Sequence, residues 1–383
     1  MGAVEHGDRA VRSFLWGLLP DNSDVLQWWA RRFGVSRYRV VDLLAHVGED
    51  CAGAVQLVRP ERATELQGTA TSADEKSSVT WLSEKELETR LRDLRMNPAA
   101  GRAANDAGQF SLAGAQPKTA LYQNAAGRWG IPTGRMPTNR ILKPPTIGLG
   151  DFAWNEHLCL ALAREVGLPA AASSVETFGG EIAVVVERYD RAAIGTALVR
   201  VHQEDMCQAL GVPPTRKYES HGGPGIAEIA ELLRTHSTEP VTDVNRFVDS
   251  IALNWLIAGT DVHAKNYSVL HAAGPQLRLA PLYDLVTVLP YPQLARKGNR
   301  LAMAIGGERL VREIDASHWN SLARTVGVER AGVLARVERL ATEIPSALDR
   351  LQSRGTPGKE SEEILTHFGG QIAAHCRLCL KRL

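Results

Sequence analysis

An α+β chain in two parts, a sheet-bearing N-terminal half joined near Glu187 to a helical C-terminal half, is the fold class the sequence predicts. Three observations predict it. The 383 residues divide, at roughly 150 residues per domain, into about two domains. Between positions 110 and 187 short apolar runs alternate with Gly, Asn and Pro, a strand and hairpin texture. Beyond Asp190 the apolar spacing is mostly helical.

The elements follow in order. The opening segment is rich in Trp and Arg. Over 22–33, Asn22, Ser23 and Asp24 precede a periodic apolar face and Gly34 ends it, which predicts a helix. A second helix is expected over 37–46, closed by Gly48. Residues 59–78 are polar and read as a surface linker. Residues 82–96 read as a helix with Ser83 as its N-cap. Strands are expected at 119–122, 128–131 and 138–143, then a helix over 152–166 ended by Gly167, Leu168 and Pro169. Strands 173–178 and 182–187 flank Gly179-Gly180, a tight turn. In the helical half one exception is expected, a short hairpin of 267–271 and 277–281 around Ala272-Ala273-Gly274-Pro275-Gln276. No internal repeats or low-complexity tracts occur. The domain boundaries that result are 1–100 (helical or mixed, with the linker), 101–189 (sheet-containing) and 190–383 (all-helical).

Composition narrows the function classes. Apolar residues at 44% and charged residues at 23% are ordinary for a globular chain, which excludes disorder, collagen and coiled coil for most of the length. Lys plus Arg is 44 and Asp plus Glu is 43, so a net charge of +1 gives no global pull toward nucleic acid or an anionic membrane. Five scattered cysteines fit a reducing compartment better than a disulfide framework. Cys376 and Cys379 form a C-x-x-C after His375, but no second ligand pair lies nearby, so two thiols on a C-terminal helix are expected rather than a zinc site. No apolar run reaches about 18 residues, and no basic segment leads into an apolar one. A soluble chain is expected, cytoplasmic if bacterial.

The most informative stretch is Thr260-Asp261-Val262-His263-Ala264-Lys265-Asn266, between a very apolar helix (251–258) and the expected hairpin. Asp-x-x-x-x-Asn is the separation of protein-kinase catalytic loops, where the Asp faces the substrate hydroxyl and the Asn oxygen holds Mg²⁺. Asp284 follows the hairpin, where a kinase places its metal-binding Asp. Phosphoryl transfer needs just such oxygen ligands on a hard cation and one carboxylate for the attacking hydroxyl. Alone, Asp261 reads as a helix cap and Asp284 as a turn residue. Together they favour the catalytic arrangement.

Ser111-Leu112-Ala113-Gly114-Ala115-Gln116-Pro117-Lys118-Thr119 is small-residue-rich and precedes an expected strand. It is neither a Walker A nor a G-x-G-x-x-G loop, yet backbone N–H groups around Gly114 could cradle phosphates. An ordinary loop is the alternative. Lys143 ends an expected strand ahead of a helix carrying Glu156, the layout of the kinase lysine and its glutamate partner, with an exposed strand-end lysine as the alternative. Val184-Val185-Val186-Glu187-Arg188-Tyr189 would then form the hinge strand facing an adenine edge.

With these residues in place, the chain resembles the HipA family of bacterial Ser/Thr kinase toxins. The matching segments are Gly17-Leu18-Leu19-Pro20-Asp21, Gly48-Glu49-Asp50-Cys51-Ala52-Gly53-Ala54-Val55, the 111–121 loop, Val186-Glu187-Arg188-Tyr189-Asp190-Arg191, Gln203-Glu204-Asp205-Met206-Cys207-Gln208, Lys217-Tyr218-Glu219 with Gly222-Gly223-Pro224-Gly225, and 260–266 with Tyr283-Asp284. The resemblance implies a two-lobed fold related to protein and phosphoinositide kinases, with a sheet-containing N-lobe and an all-α C-lobe. It implies Asp261 as the catalytic aspartate, Asn266 and Asp284 as Mg²⁺ ligands, and Lys143 as the ATP-binding lysine. Ala113, Gly114, Ala115, Gln116 and Lys118 correspond to the phosphate loop, Glu187 and Tyr189 to the adenine hinge, and Ser111 to an autophosphorylated serine. His263 and Lys265 fall inside the catalytic motif, where Lys265 could steady the γ-phosphate.

By the same resemblance the cofactors are ATP and Mg²⁺, the protein target is an aminoacyl-tRNA synthetase, and the partner is a small helix-turn-helix antitoxin through which operator DNA is contacted indirectly. Pro117 departs from the acidic or polar residue of some relatives and stiffens the loop. Family members usually begin with about fifty further residues forming a β-rich subdomain. Here Met1 falls just before the helix that opens the next segment, so a later start, an absent subdomain or a separate chain supplying it are all expected possibilities. A catalytically silent co-repressor and a small-molecule or lipid kinase on the same scaffold are the rival functions.

Overall fold

The structure, a computed structural model, describes residues 7–64, 66–68, 70–71, 74, 78–97, 111–146, 148–149, 151–272, 274–294, 298–355 and 359–383. Met1, Phe110, parts of the 59–78 linker and Ala273 lie outside the described residues. Three short helices come first: α1 (Asp8–Gly17), α2 (Ser23–Phe33) and α3 (Val40–Val47). The Asn22 side chain accepts from the Asp24 and Val25 amides, and Gly34, at φ +66°, takes the left-handed position that ends α2. Leu19, Trp29, Leu43, Leu44 and Val47 give these helices a core of their own.

An antiparallel sheet of six strands follows. In chain order these are β2 (Val79–Trp81), β3 (Thr119–Gln123), β4 (Trp129–Pro132), β5 (Arg140–Lys143), β6 (Ser173–Phe178) and β7 (Glu181–Glu187); a short β1 (Ala70–Thr71) lies outside the sheet. The spatial order is β2-β4-β3-β5-β7-β6. Helix α4 (Glu84–Met96), capped by Ser83 in a reciprocal box with Glu86, covers one face. Helix α5 (Phe152–Glu165) covers the other. Strand β7 shows why: Val185 joins the α4-side core, while Val184 and Val186 join the α5-side core. The period-2 alternation has a consequence on β5. Leu142 points toward α4, so Lys143 emerges on the α5 face, where Glu156 lies.

The second half is dominated by α7 (Ile226–His236), α8 (Pro240–Leu256), α9 (Ala316–Val326), α10 (Arg330–Ser353) and α11 (Lys359–Leu380), with a one-turn α6 (Met206–Ala209) ahead of them. Trp255 and Trp319, both fully buried with ring centroids 5.6 Å apart, sit in its core. Cys376 and Cys379 are buried on α11, as expected. The expected hairpin is present as β11 (Ser268–His271) and β12 (Leu277–Leu279). The expectation of a purely helical remainder needs correction. β8 (Arg191–Ile194) and β9 (Ala197–Arg200) form a hairpin joined by β1; β10 (His202–Asp205) adds an edge to the β11–β12 hairpin; β13 (Arg300–Ile305) and β14 (Glu308–Leu310) turn at Gly306-Gly307. Strand β10 carries His, Gln, Glu and Asp and has no apolar face to signal it; backbone pairing with β11 makes it a strand. Among the described residues no helix is long and apolar enough to cross a membrane.

A buried ionic network joins the N-terminal helices to the sheet and the chain beyond it. Asp50 accepts from Arg191 at 2.8 Å, Arg200 at 3.2 Å, and both the amide and hydroxyl of Thr138 at 2.9 and 2.6 Å. Asp190 pairs with Arg188 at 2.8 and 3.0 Å and accepts the Gly53 amide at 2.7 Å. Burial pushes the Asp50 carboxyl up, but Arg191, Arg188 and Arg200 overcome this and hold it well below the usual carboxylate range. Its contribution is therefore complete above the unfolded value of about 3.9 and is lost as pH falls toward the depressed folded one. Asp50→Asn should destabilise the protein by about 3–5 kcal/mol in equilibrium denaturation, because the arginines lose a buried partner. It should also flatten the rise of stability with pH below about 4. An unchanged denaturation midpoint would remove this network from the account of stability.

Candidate active site

A cavity of about 420 Å³ lies between the sheet and the helical half. From the sheet side, Lys143 ends β5 and Glu156 projects from α5 opposite it. The Lys143 ammonium lies 2.7 Å from Glu156 Oε1 and 2.9 Å from Asp284 Oδ1. Burial lowers the Lys143 pKa, but Asp284 and Glu156 reverse the shift and raise it above its ordinary value. Burial raises the Asp284 pKa, and Lys143 and Lys118 pull it well below the usual carboxylate range.

The far wall comes from the segment after α8. Its exit is tight: Ala258 takes φ +50°, and a Cβ on Gly259 would lie 2.7 Å from Asn254 Oδ1. Asp261 then opens onto the cleft and accepts the Tyr218 hydroxyl at 2.6 Å. The residue is exposed, yet desolvation beside the cleft walls raises its carboxyl above the ordinary value. His263 turns inward, its ring edge against Tyr218 at 4.9 Å, and burial lowers its pKa to about 4. Lys265 is buried with its ammonium 2.5 Å from Asp21. Asn266 returns to the cleft, with Nδ2 3.4 Å from Asp284 Oδ2. Asp284 occupies a left-handed φ of +56°, uncommon without a glycine.

Across the cleft the 111–118 loop packs against the first helices. Ser111 is fully buried, its hydroxyl donating to the Leu18 carbonyl at 2.7 Å. Gly114 stands at φ +101°, and a Cβ there would lie 2.5 Å from the Lys118 ammonium. Its carbonyl accepts the Asp21 amide at 3.1 Å. Lys118 donates to the Ala113 carbonyl at 2.7 Å; burial, then repulsion from Lys143, lowers its pKa to about 8. At the back, the Glu187 amide is taken by the Ala172 carbonyl, its side chain is exposed, and Tyr189 faces Tyr283 at 5.6 Å.

All the expected residues except Ser111 thus line or border this one cleft, with Ala113, Ala115 and Gln116 on its loop side. The sequence reading assigned no role to Asp21, Lys217 or Tyr218, although all three lie in segments that carry the family resemblance. Asp21 clasps Lys265 at 2.5 Å and Lys217 at 2.8 Å. Lys265 lines the cleft with its ammonium paired to the Asp21 carboxylate. Spacing could not show this, since Asp21 and Lys265 are 244 positions apart. The donor set suits a hard divalent cation. Asp284 offers carboxylate oxygens, and a half-turn of the Asn266 amide would place its oxygen where Nδ2 now lies.

Comparisons with known proteins place the chain in a family. The HipA-like C-terminal domain family matches residues 110–348, and the HipA N-terminal domain family matches residues 2–58. The Sinorhizobium fredii protein Y4mE is 35% identical over 97% of this chain and 86% of its own length. The Serine/threonine-protein kinase toxin HipA of Shewanella oneidensis is 28% identical over 96% of this chain and 83% of its own. The solved complex of Shewanella oneidensis HipA with HipB and operator DNA superimposes with a TM-score of 0.81 at 25% identity, covering 97% of this chain and 86% of that one. The chain belongs to the HipA family of kinase toxins.

Proposed function

We propose that this chain is an ATP- and Mg²⁺-dependent Ser/Thr protein kinase, the toxin of a toxin–antitoxin pair, with an aminoacyl-tRNA synthetase as its target. The observation that carries this is the convergence of Asp261, Asn266 and Asp284 on one cleft that also presents Lys143 and its Glu156 partner. Asn266 and Asp284 would hold Mg²⁺, which neutralises charge on the transferred phosphoryl group. Lys143 and Lys118 supply positive charge to the nucleotide phosphates. Gly114 and its neighbours offer backbone N–H groups. Asp261 orients the acceptor hydroxyl, and the Tyr218 phenol must release its oxygen when that hydroxyl enters. His263, neutral at pH 7, supports Tyr218, and Lys265 fixes the catalytic segment to Asp21. Glu187 and Tyr189 line the adenine end.

The partner in the proposal is a small helix-turn-helix antitoxin, supported by the relative solved with HipB and operator DNA. A net charge of +1 supports indirect DNA contact. Ser111 is proposed as an inhibitory autophosphorylation site. Its hydroxyl is fully buried, so phosphate can be accepted only with the 111–118 loop displaced. A phosphate there adds about −1.5 to −2 charges and could not return to the same packing.

Labelling of cell extract with γ-³²P-ATP should identify a protein substrate. Asp261→Asn should lower phosphotransfer by ~10²–10⁴ while nucleotide binding persists. Asp284→Ala should lose Mg²⁺-dependent nucleotide binding in calorimetry. Because the Asp261 carboxyl is raised, activity should fall on acidification at higher pH than an ordinary aspartate would impose. Full transfer by Asp261→Asn would sink the assignment, and labelled small molecules without labelled protein would favour the small-molecule kinase. Mass spectrometry should find phosphate on Ser111 in active protein and none in Asp261→Asn; phospho-Ser111 protein that binds Mg-ATP normally would refute the switch. Gel shifts of the operator should require the small partner, and a sequence-specific shift by this chain alone would refute the indirect mode.

A further inference from the structure

The β10–β11 ladder has a polar face that the cleft does not use. His202 pairs directly with His271 across the ladder, and Glu204 lies two residues along β10, so the three side chains leave the same face. Gln203 and Asp205 alternate to the other face and line the cleft. On the outer face, Glu204 Oε1 lies 3.6 Å from His202 Nε2 and 3.4 Å from His271 Nε2. The ligand-type atoms of the three residues all lie within 4.8 Å of one another. Tetrahedral ligands at ~2.0 Å from a metal stand about 3.3 Å apart. Two edges of the triangle already have that spacing, and a small imidazole rotation closes the third.

The surroundings fit the same chemistry. His271 Nε2 has only the long 3.4 Å approach to Glu204 Oε1, which does not satisfy it as a hydrogen bond. The two imidazoles hold the Glu204 carboxyl down to about 2, which makes it an anionic ligand at neutral pH. Phe14 on α1 lies beside the His202 ring at 6.2 Å and helps shelter the site.

We propose that His202, Glu204 and His271 form a three-ligand site for a borderline divalent transition ion of the Zn²⁺ class, with water as the fourth ligand. Two imidazole nitrogens discriminate against Mg²⁺, which prefers oxygen, so this site is distinct from the Asn266–Asp284 pair. The ion staples β10, which ends at Asp205 on the cleft wall, to β11, which starts just after Asn266.

The chelator-stripped full chain, titrated with Zn²⁺ in a calorimeter at neutral pH, should bind one equivalent at this site, and Asp284→Ala should bind it equally. Glu204→Gln and His271→Asn should each weaken binding by about 100-fold or more, since even outer-sphere partners of metal ligands are worth about 10–100-fold. Circular dichroism should show both variants folded. Independently of any variant, Zn²⁺ should move the imidazole nitrogen resonances of His202 and His271 and leave those of His263 in place, while Mg²⁺ moves none of the three. Absence of Zn²⁺ binding, retention of full affinity in both variants, or unmoved His202 and His271 resonances would each overturn the site.

Discussion

Two buried carboxylates, Asp50 and Asp190, set among Arg188, Arg191 and Arg200, fix where the rest of the chain can go. Each arginine also bonds backbone: Arg188 and Arg191 reach the Cys51 carbonyl, Arg191 the Gly53 and Thr138 carbonyls, and Arg200 the Arg135 carbonyl. Three stretches far apart in sequence are thereby locked together: the loop after α3, the entrance to β5, and the exit from β7. Replacing such a cluster by apolar groups could be neutral for stability, so its value lies in specifying one arrangement. That arrangement sets β5, and with it Lys143, at the mouth of the cleft.

The cleft has its own charge logic. Glu156 and Asp284 hold Lys143 from two sides, while Asp21 holds Lys265 and Lys217 from a third. Asp284 is thus a shared point, reached by a sheet lysine and bordered by Asn266. Its left-handed backbone is the cost of turning the chain there after the β11–β12 hairpin. Asp261 sits apart from this pairing and accepts the neutral Tyr218 hydroxyl, whose place another hydroxyl can take with little electrostatic penalty.

How much of this was legible follows from the kind of force involved. Periodicity and capping residues were enough for α2, α4 and α5 and for the Gly179-Gly180 hairpin, because local backbone preference decides them. The Asp261, Asn266 and Asp284 group was legible from spacing, because a hairpin between them leaves few ways to meet. Strands β13 and β14 could have been read from Leu301, Met303 and Ile305 alternating ahead of Gly306-Gly307. Strand β10 could not, since every one of its side chains is polar. The Asp50 and Asp21 contacts were equally out of reach. They depend on tertiary packing between segments 88 to 244 positions apart, and only the family resemblance marked those residues at all.

The 111–118 loop lies between the first helices and the cleft. Lys118 is half-buried close to Lys143; desolvation, then repulsion from Lys143, lowers its pKa to about 8, so it keeps its proton at neutral pH less firmly than an ordinary lysine. The loop is nevertheless held: Ser111 bonds Leu18, Gly114 bonds Asp21, and Lys118 bonds Ala113. An anion entering between the two lysines would relieve the repulsion and raise the Lys118 pKa, so the same loop that packs against α1 gains from phosphate in front of it. The phosphate proposed for Ser111 would do the opposite. Ser111 is fully buried behind the loop, so a phosphate there would have to break the Leu18 contact to reach solvent. On the proposed reading, nucleotide in front of the loop and phosphate on Ser111 behind it would favour opposite loop positions.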